Sequence, residues 1–122
     1  MTTLVLNEDG TATLTFKQGS KTVFHIPVYS DEEETIEADL TGYLARGMGR
    51  RNTGLIETYP ELFPIVCIIS GNIVSGSILP VDSGANVILA GVWDIEIYDP
   101  EDPTNVDRII QGDWVMNPEV TV

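Results

Sequence analysis

Basic residues are scarce in this chain: six Lys and Arg stand against nineteen Asp and Glu, a formal charge of −13 with a pI near 4.1. Such a surface repels phosphate backbones and anionic headgroups over about a Debye length, so neither nucleic acid nor a membrane is an expected partner. Cysteine occurs once. A lone Cys67 excludes an internal disulfide framework and any multi-cysteine zinc site, and its setting in PIVCIIS is that of a reduced, buried small hydrophobe. No run approaches the roughly 20 apolar residues of a membrane span. The start MTTLVLNEDG lacks the basic and long apolar regions of a secretory leader, and no Asn has Ser or Thr two places on. The expectation is an unglycosylated, soluble protein made in the cytoplasm.

What remains is ordinary globular material. With 122 residues, 43% hydrophobic and 20% charged, the chain has the size of one domain. Seven prolines and eleven glycines point to many turns and few long helices. Strict alternation sets Ala12, Leu14 and Phe16 on one face of a strand, Phe24 and Ile26 on one face of the next, and Trp93, Ile95 and Ile97 inward against Asp94 and Glu96. Ile110, Trp114 and Met116 share a face of the last strand. Pro27 belongs on a sheet edge or at a bulge. Pro60 and Pro64 forbid a long regular element around them, IVCIIS reads as a strand buried on both faces, and VDSGANVILAG as a turn or a single helical turn. The sum is an all-β chain: an antiparallel β-sandwich of about seven strands over residues 11–122, preceded by an N-terminal arm, 1–10.

Chemistry is hard to find. Gly49 and Gly54 have phosphate-loop spacing, yet Leu55 and Ile56 stand where Lys and Ser/Thr are needed, so a turn or bulge is expected. His25 is the only histidine and lies on a strand bearing a proline, a surface or interface position rather than a catalytic base. Carboxylates such as Asp94, Glu96, Asp99, Glu101 and Asp102 are too abundant to single out a glycosidase pair. The segment Asp99 to Asp107 lacks the order of a calcium loop and reads as the solvated tip of a hairpin. No catalytic residue, metal ligand or cofactor is assigned.

The run ADLTGYLAR, then SILPVDSGANVILAGVWDIEIYD, then RIIQGDWVMNPEVT, resembles the immunoglobulin-like domain of tailed-bacteriophage upper baseplate and related tail proteins. Asp39, Leu40, Thr41, Gly42, Tyr43, Ala45 and Arg46 match its first element, Gly91, Trp93, Asp94 and Gly112 its second, and Pro118 to Thr121 its last. Coverage runs from about Thr11 to the C-terminus. Gly47 and Gly49 depart from the bulky residues usual after Ala-Arg. The resemblance implies an immunoglobulin-like sandwich with a non-enzymatic, structural role in a virion tail or baseplate. It also implies other phage structural proteins as partners and a homo-oligomer within a symmetric assembly.

Contacts then become the expected mode of action. Arg46, Arg50 and Arg51 hold half of the basic residues within one short span and, with Met48, form a candidate docking face; Leu4 and Leu6 in the N-terminal TTLVL are candidates for β-addition. Two other readings stand beside this one: a capsid decoration protein, and a host-surface carbohydrate or calcium-dependent binding module. The last requires an exposed Trp93 or Trp114, or metal on the Asp99 to Asp107 segment.

Overall fold

The computed structural model describes residues 3–6, 10–31, 33–52, 60–86 and 88–118. Eight strands follow one another as β1 (Thr3–Leu6), β2 (Ala12–Lys17), β3 (Thr22–Pro27), β4 (Leu44–Arg50), β5 (Glu61–Ser70), β6 (Ile73–Ile78), β7 (Ala90–Asp99) and β8 (Asp102–Asn117), with one short helix, α1 (Pro80–Ala85). The protein is all-β. Strand order is β1-β2-β8-β7-β4-β5-β6-β3, a single sheet that folds over on itself.

The fold-over happens in β5. Its first half pairs with β4 (Phe63 opposite Gly49, Ile65 opposite Gly47), and its second half pairs with β6 (Val66 opposite Ser77, Ser70 opposite Ile73). One layer therefore holds β1-β2-β8-β7-β4 and the start of β5, while the other holds the end of β5 with β6 and β3. Adjacency of β4, β7 and β8 in one layer and of β3, β6 and β5 in the other is the C-F-G and B-E-D order of an immunoglobulin-like sandwich. All but one of the strand pairings are antiparallel. The exception is β2, which runs parallel to β8 with Leu14 opposite Trp114 and Phe16 opposite Met116.

Period two dictates the core. Ala12, Leu14 and Phe16 are fully buried while their threonine neighbours face outward, and Trp93, Ile95, Ile110, Trp114 and Met116 fill the same interior. Aromatic rings join the strands edge to face: Phe16 to Phe63 at 5.7 Å, Phe63 to Trp114 at 5.1 Å, and Phe24 to Trp93 at 5.5 Å. Each such pair adds about 0.5–1.5 kcal/mol beyond its buried area. The Phe24–Trp93 contact lays β3 directly over β7. Both indoles donate inside the fold, Trp93 Nε1 to the Ala12 carbonyl at 3.1 Å and Trp114 Nε1 to the Arg50 carbonyl at 3.0 Å.

Three sequence expectations change. IVCIIS is not buried on both faces: Val66 and Ile68 are 42% and 67% exposed, because only one side of β5 meets the core. Pro64 lies inside the ten-residue β5, tolerated where β6 has not yet begun to pair and one edge of the strand needs no donor. The hairpin tip shrinks to Pro100 and Glu101, since β8 starts at Asp102 and carries Pro103 in the register shift between its pairings of Asp102 with Asp99 and Val106 with Tyr98. Pro27 does lie on the edge strand β3, α1 is the short helix expected, and the strands number eight, one pair of them parallel, where about seven antiparallel ones were expected. The segment 1–10 supplies β1, which folds back antiparallel on β2 with Leu4 opposite Leu14.

Candidate interaction surface

The outward face of β4 is set by what its inward face must admit. A Cβ at Gly49 would fall within the Phe63 ring, and one at Gly47 would press on Ile65 and Ile95. These glycines turn to the core, so Arg46, Met48 and Arg50 turn out. The bulge expected at this glycine cluster shows as a register shift between Gly49 and Arg50.

Each arginine of this layer meets an acid from a neighbouring strand. Arg46 Nε is 3.8 Å from Glu96 Oε1, and its guanidinium lies 4.5 Å above the Tyr98 ring. Arg50 Nη1 is 3.5 Å from Glu61 Oε1. Arg108, on β8, places Nε 3.0 Å from Asp94 Oδ2 and donates from Nη1 to Gln111 Oε1 at 3.2 Å. Arg51 is exposed just beyond β4, where its backbone N–H donates to the Pro60 carbonyl. Between these side chains runs an open groove of about 400 Å³ whose lining includes Arg50, Asp94, Glu96, Arg108 and Asp113. Exposed pairs of this kind contribute only about 0–1 kcal/mol each, so they exchange readily for a partner's charges.

Leu4, in contrast, leans half-buried against the core, and the side chain of Leu6 lies outside the described residues. Gly54, Leu55 and Ile56 of the glycine cluster also lie outside them.

Several exposed aspartates are engaged in local turns. Asp39 Oδ1 accepts from Thr41 N and Oγ1, Asp102 Oδ1 accepts from Thr104 N and Oγ1, and Asp31 accepts from Thr35 N, Thr35 Oγ1 and Ile36 N. Hydrogen bonds from the threonine side chains, followed by backbone N–H donors, hold all three carboxyls below the ordinary aspartate range. Among the described residues no group of three or more His, Cys, Asp or Glu is arranged to hold a metal ion. No described helix is long and apolar enough to cross a membrane.

His25 sits on the exposed side of β3, directly opposite Ser75, with Nδ1 and Ser75 Oγ 2.7 Å apart. Strand register alone accounts for that pair. Cys67 is half-buried and its thiol is pushed up to about 11 by burial, which keeps it protonated and sluggish towards electrophiles. Trp93 and Trp114 are 2% and 0% exposed, so neither offers a ring to a ligand.

Sequence reading located the arginines but missed their acids. Asp94 and Glu96 were recognisable as outward residues of VWDIEIY, whereas their pairing depends on strand register, which places Arg46 opposite Glu96 and Glu96 opposite Arg108. No family model matches the chain, and no curated protein matches it. Fold and surface together define a two-layer β-domain with arginine–carboxylate pairs across one outer face.

Proposed function

We propose that this protein is a non-enzymatic structural subunit of a tailed-bacteriophage virion, a tail or baseplate connector acting through protein–protein contacts. Its neighbours would be other phage structural proteins, in a symmetric assembly containing several copies of the chain. The observation that carries the reading is the work done by the residues on which the resemblance rests.

Asp39, Thr41, Gly42 and Tyr43 build one tight turn: Asp39 holds Thr41, Gly42 has φ +84, and Tyr43 N–H returns to the Leu40 carbonyl. Tyr43 Oη then accepts from Asn105 Nδ2 at 3.1 Å, tying the turn to β8. Gly91 and Gly112 sit where a side chain would strike the Arg50 and Ala12 carbonyls, the two groups that receive the indoles of Trp114 and Trp93. The matched residues Asp39 to Tyr43, Gly91, Trp93 and Gly112 thus form one mechanical framework, whereas Glu119, Val120 and Thr121 lie outside the described residues. Docking is assigned to the outward face it supports, with Arg46, Met48, Arg50 and Arg51 at its centre.

Mass spectrometry of purified virions, together with the neighbouring genes, tests this. The chain is expected among the particle proteins with tail genes on both sides; intact particles that lack it would overturn the proposal. Labelled particles imaged by electron microscopy separate a tail position from the capsid-decoration alternative. A carbohydrate-binding module loses its simplest support, because both indoles are buried and hydrogen-bonded. A calcium-dependent module would reveal itself as a thermal shift on calcium addition.

A further inference from the structure

Two sheet edges stand open on one side of the molecule. In β3 the N–H of Val28 donates to the Asn72 carbonyl, so by alternation Thr22, Phe24 and Ile26 also direct their peptide groups to β6. Val23, His25 and Tyr29 point theirs the other way, where no backbone partner is found among the described residues. Pro27 falls in this outward set, the place where a strand tolerates a residue without an N–H. β8 is open as well. β2 pairs with it only from Trp114 to Asn117, which leaves the edge of residues 102–108 without a strand among the described residues.

Between the end of β3 and this part of β8 lies a groove of about 390 Å³ whose lining includes Pro27, Tyr29, Asp31, Glu34, Asp107 and Ile109. Its only described basic residue, Arg108, is already engaged by Asp94 at 3.0 Å. We propose that the groove receives an extended, basic segment of a partner protein, which adds as a strand to the free edge of β3. The backbone selects the form of the occupant, because peptide groups spaced along an open edge are satisfied by another strand. The charge selects its composition. Asp31, Glu34 and Asp107 line the groove with no unengaged cation beside them, in a chain of net charge −13, so Lys or Arg on the incoming strand is favoured and a second copy is not.

This contact is separate from the arginine face of β4 and needs no virion role. An added strand continues the pleat of β3, with successive side chains turned to opposite faces. Alternating apolar and basic residues therefore put all the charges in one row. Raising ionic strength shortens the Debye length from about 10 Å at 0.1 M to about 3 Å at 1 M, so salt weakens the complex. Backbone pairing is what remains.

A peptide of about eight residues alternating Val and Lys is the probe. Titrated into the full chain at low salt, it is expected to bind and to slow amide exchange at Val23, His25 and Tyr29, whose N–H groups are free. Phe24 and Ile26, already bonded to β6, keep their rates. Affinity is expected to fall at least about fivefold in Asp107→Lys and, independently, in Glu34→Lys; Glu101→Lys, the same charge change outside the groove, costs less than about twofold. Circular dichroism identifies the variants that fold, and these alone are compared. Two control peptides are expected not to bind: Val alternating with Glu, which removes the attraction, and the Val-Lys peptide with every amide N-methylated, which removes the strand pairing. No binding of the Val-Lys peptide up to about 1 mM would overturn the proposal. So would an N-methylated peptide that binds as well as its parent, protection without the alternating pattern, or equal losses in Glu101→Lys and Asp107→Lys. Exchange at Val23, His25 and Tyr29 that slows in the free protein as its concentration rises would place a second copy in the groove and overturn the basic partner as well.

Discussion

At the residue scale, Thr22 and Asp31 show opposite uses of a polar side chain. Thr22 is 1% exposed at the start of β3, and its hydroxyl has no hydrogen-bond partner among the described residues. An unsatisfied buried hydroxyl costs about 1–3 kcal/mol, and valine has nearly the same shape. Thr22→Val should therefore raise stability by about 1 kcal/mol, read as a higher urea midpoint at unchanged slope. Asp31 is fully engaged, and its carboxyl is lowered by Thr35 and the Ile36 N–H. A depressed folded value means that its contribution is present above the unfolded value, 3.8, and lost as pH falls through the folded one. Asp31→Asn should be less stable than wild type at neutral pH, with the gap closing as pH drops below the aspartate range. Urea titrations of both proteins across that range check it; a gap independent of pH would assign the effect to shape and not to charge.

At the scale of elements, the junction of β2 with β8 is the tightest point in the fold. A side chain at Gly112 would overlap the Ala12 carbonyl, the acceptor of the Trp93 indole. Gly112→Ala must push β2 away, break that bond and loosen the aromatic core, at a cost of about 3 kcal/mol or more. Gly84, inside α1, has only ordinary contact with Gly19 at 3.7 Å. Gly84→Ala should be neutral or stabilising by up to about 1 kcal/mol, since alanine favours the helix. Thermal melts of the two variants should differ in sign or by several degrees; equal melting temperatures would refute the close approach.

These elements also show how far the chain could be read before its structure. Local alternation identified the inward residues of β2, β3, β7 and β8, because a strand with one buried face carries its own period. Burial of Trp93 and Trp114 followed from the same rule. β5 could not be read that way: its internal Pro64 and unbroken apolar run make sense only once it is known to leave one layer for the other. Pro103 hid the start of β8 for a related reason, since a bulge tolerates proline and local sequence does not say where the register between β7 and β8 shifts. The parallel β2–β8 pairing and the arginine–acid ladder both arise from register between strands and could not be read locally. Candidate contact residues Arg46, Met48 and Arg50 were legible as outward positions; the partners that hold the arginines were not.

For the whole molecule, the balance of charge outweighs the ion pairs. Three salt bridges occur among the described residues, each with at least one side chain more than a third exposed, and each contributes about 0–1 kcal/mol before screening. Against them stands the mutual repulsion of the carboxylates behind a net charge of −13, which acts across the whole compact state and is relieved when the chain expands. Added salt screens both terms. Repulsion operates over distances comparable to the Debye length, about 10 Å at 0.1 M, and so loses more than do contacts of 3.0 to 3.8 Å. Stability should therefore rise with sodium chloride, most steeply below about 0.1 M where screening changes fastest. A melting temperature that falls as salt is added would mean that the arginine–carboxylate pairs, and not the excess of negative charge, govern the electrostatics of the fold.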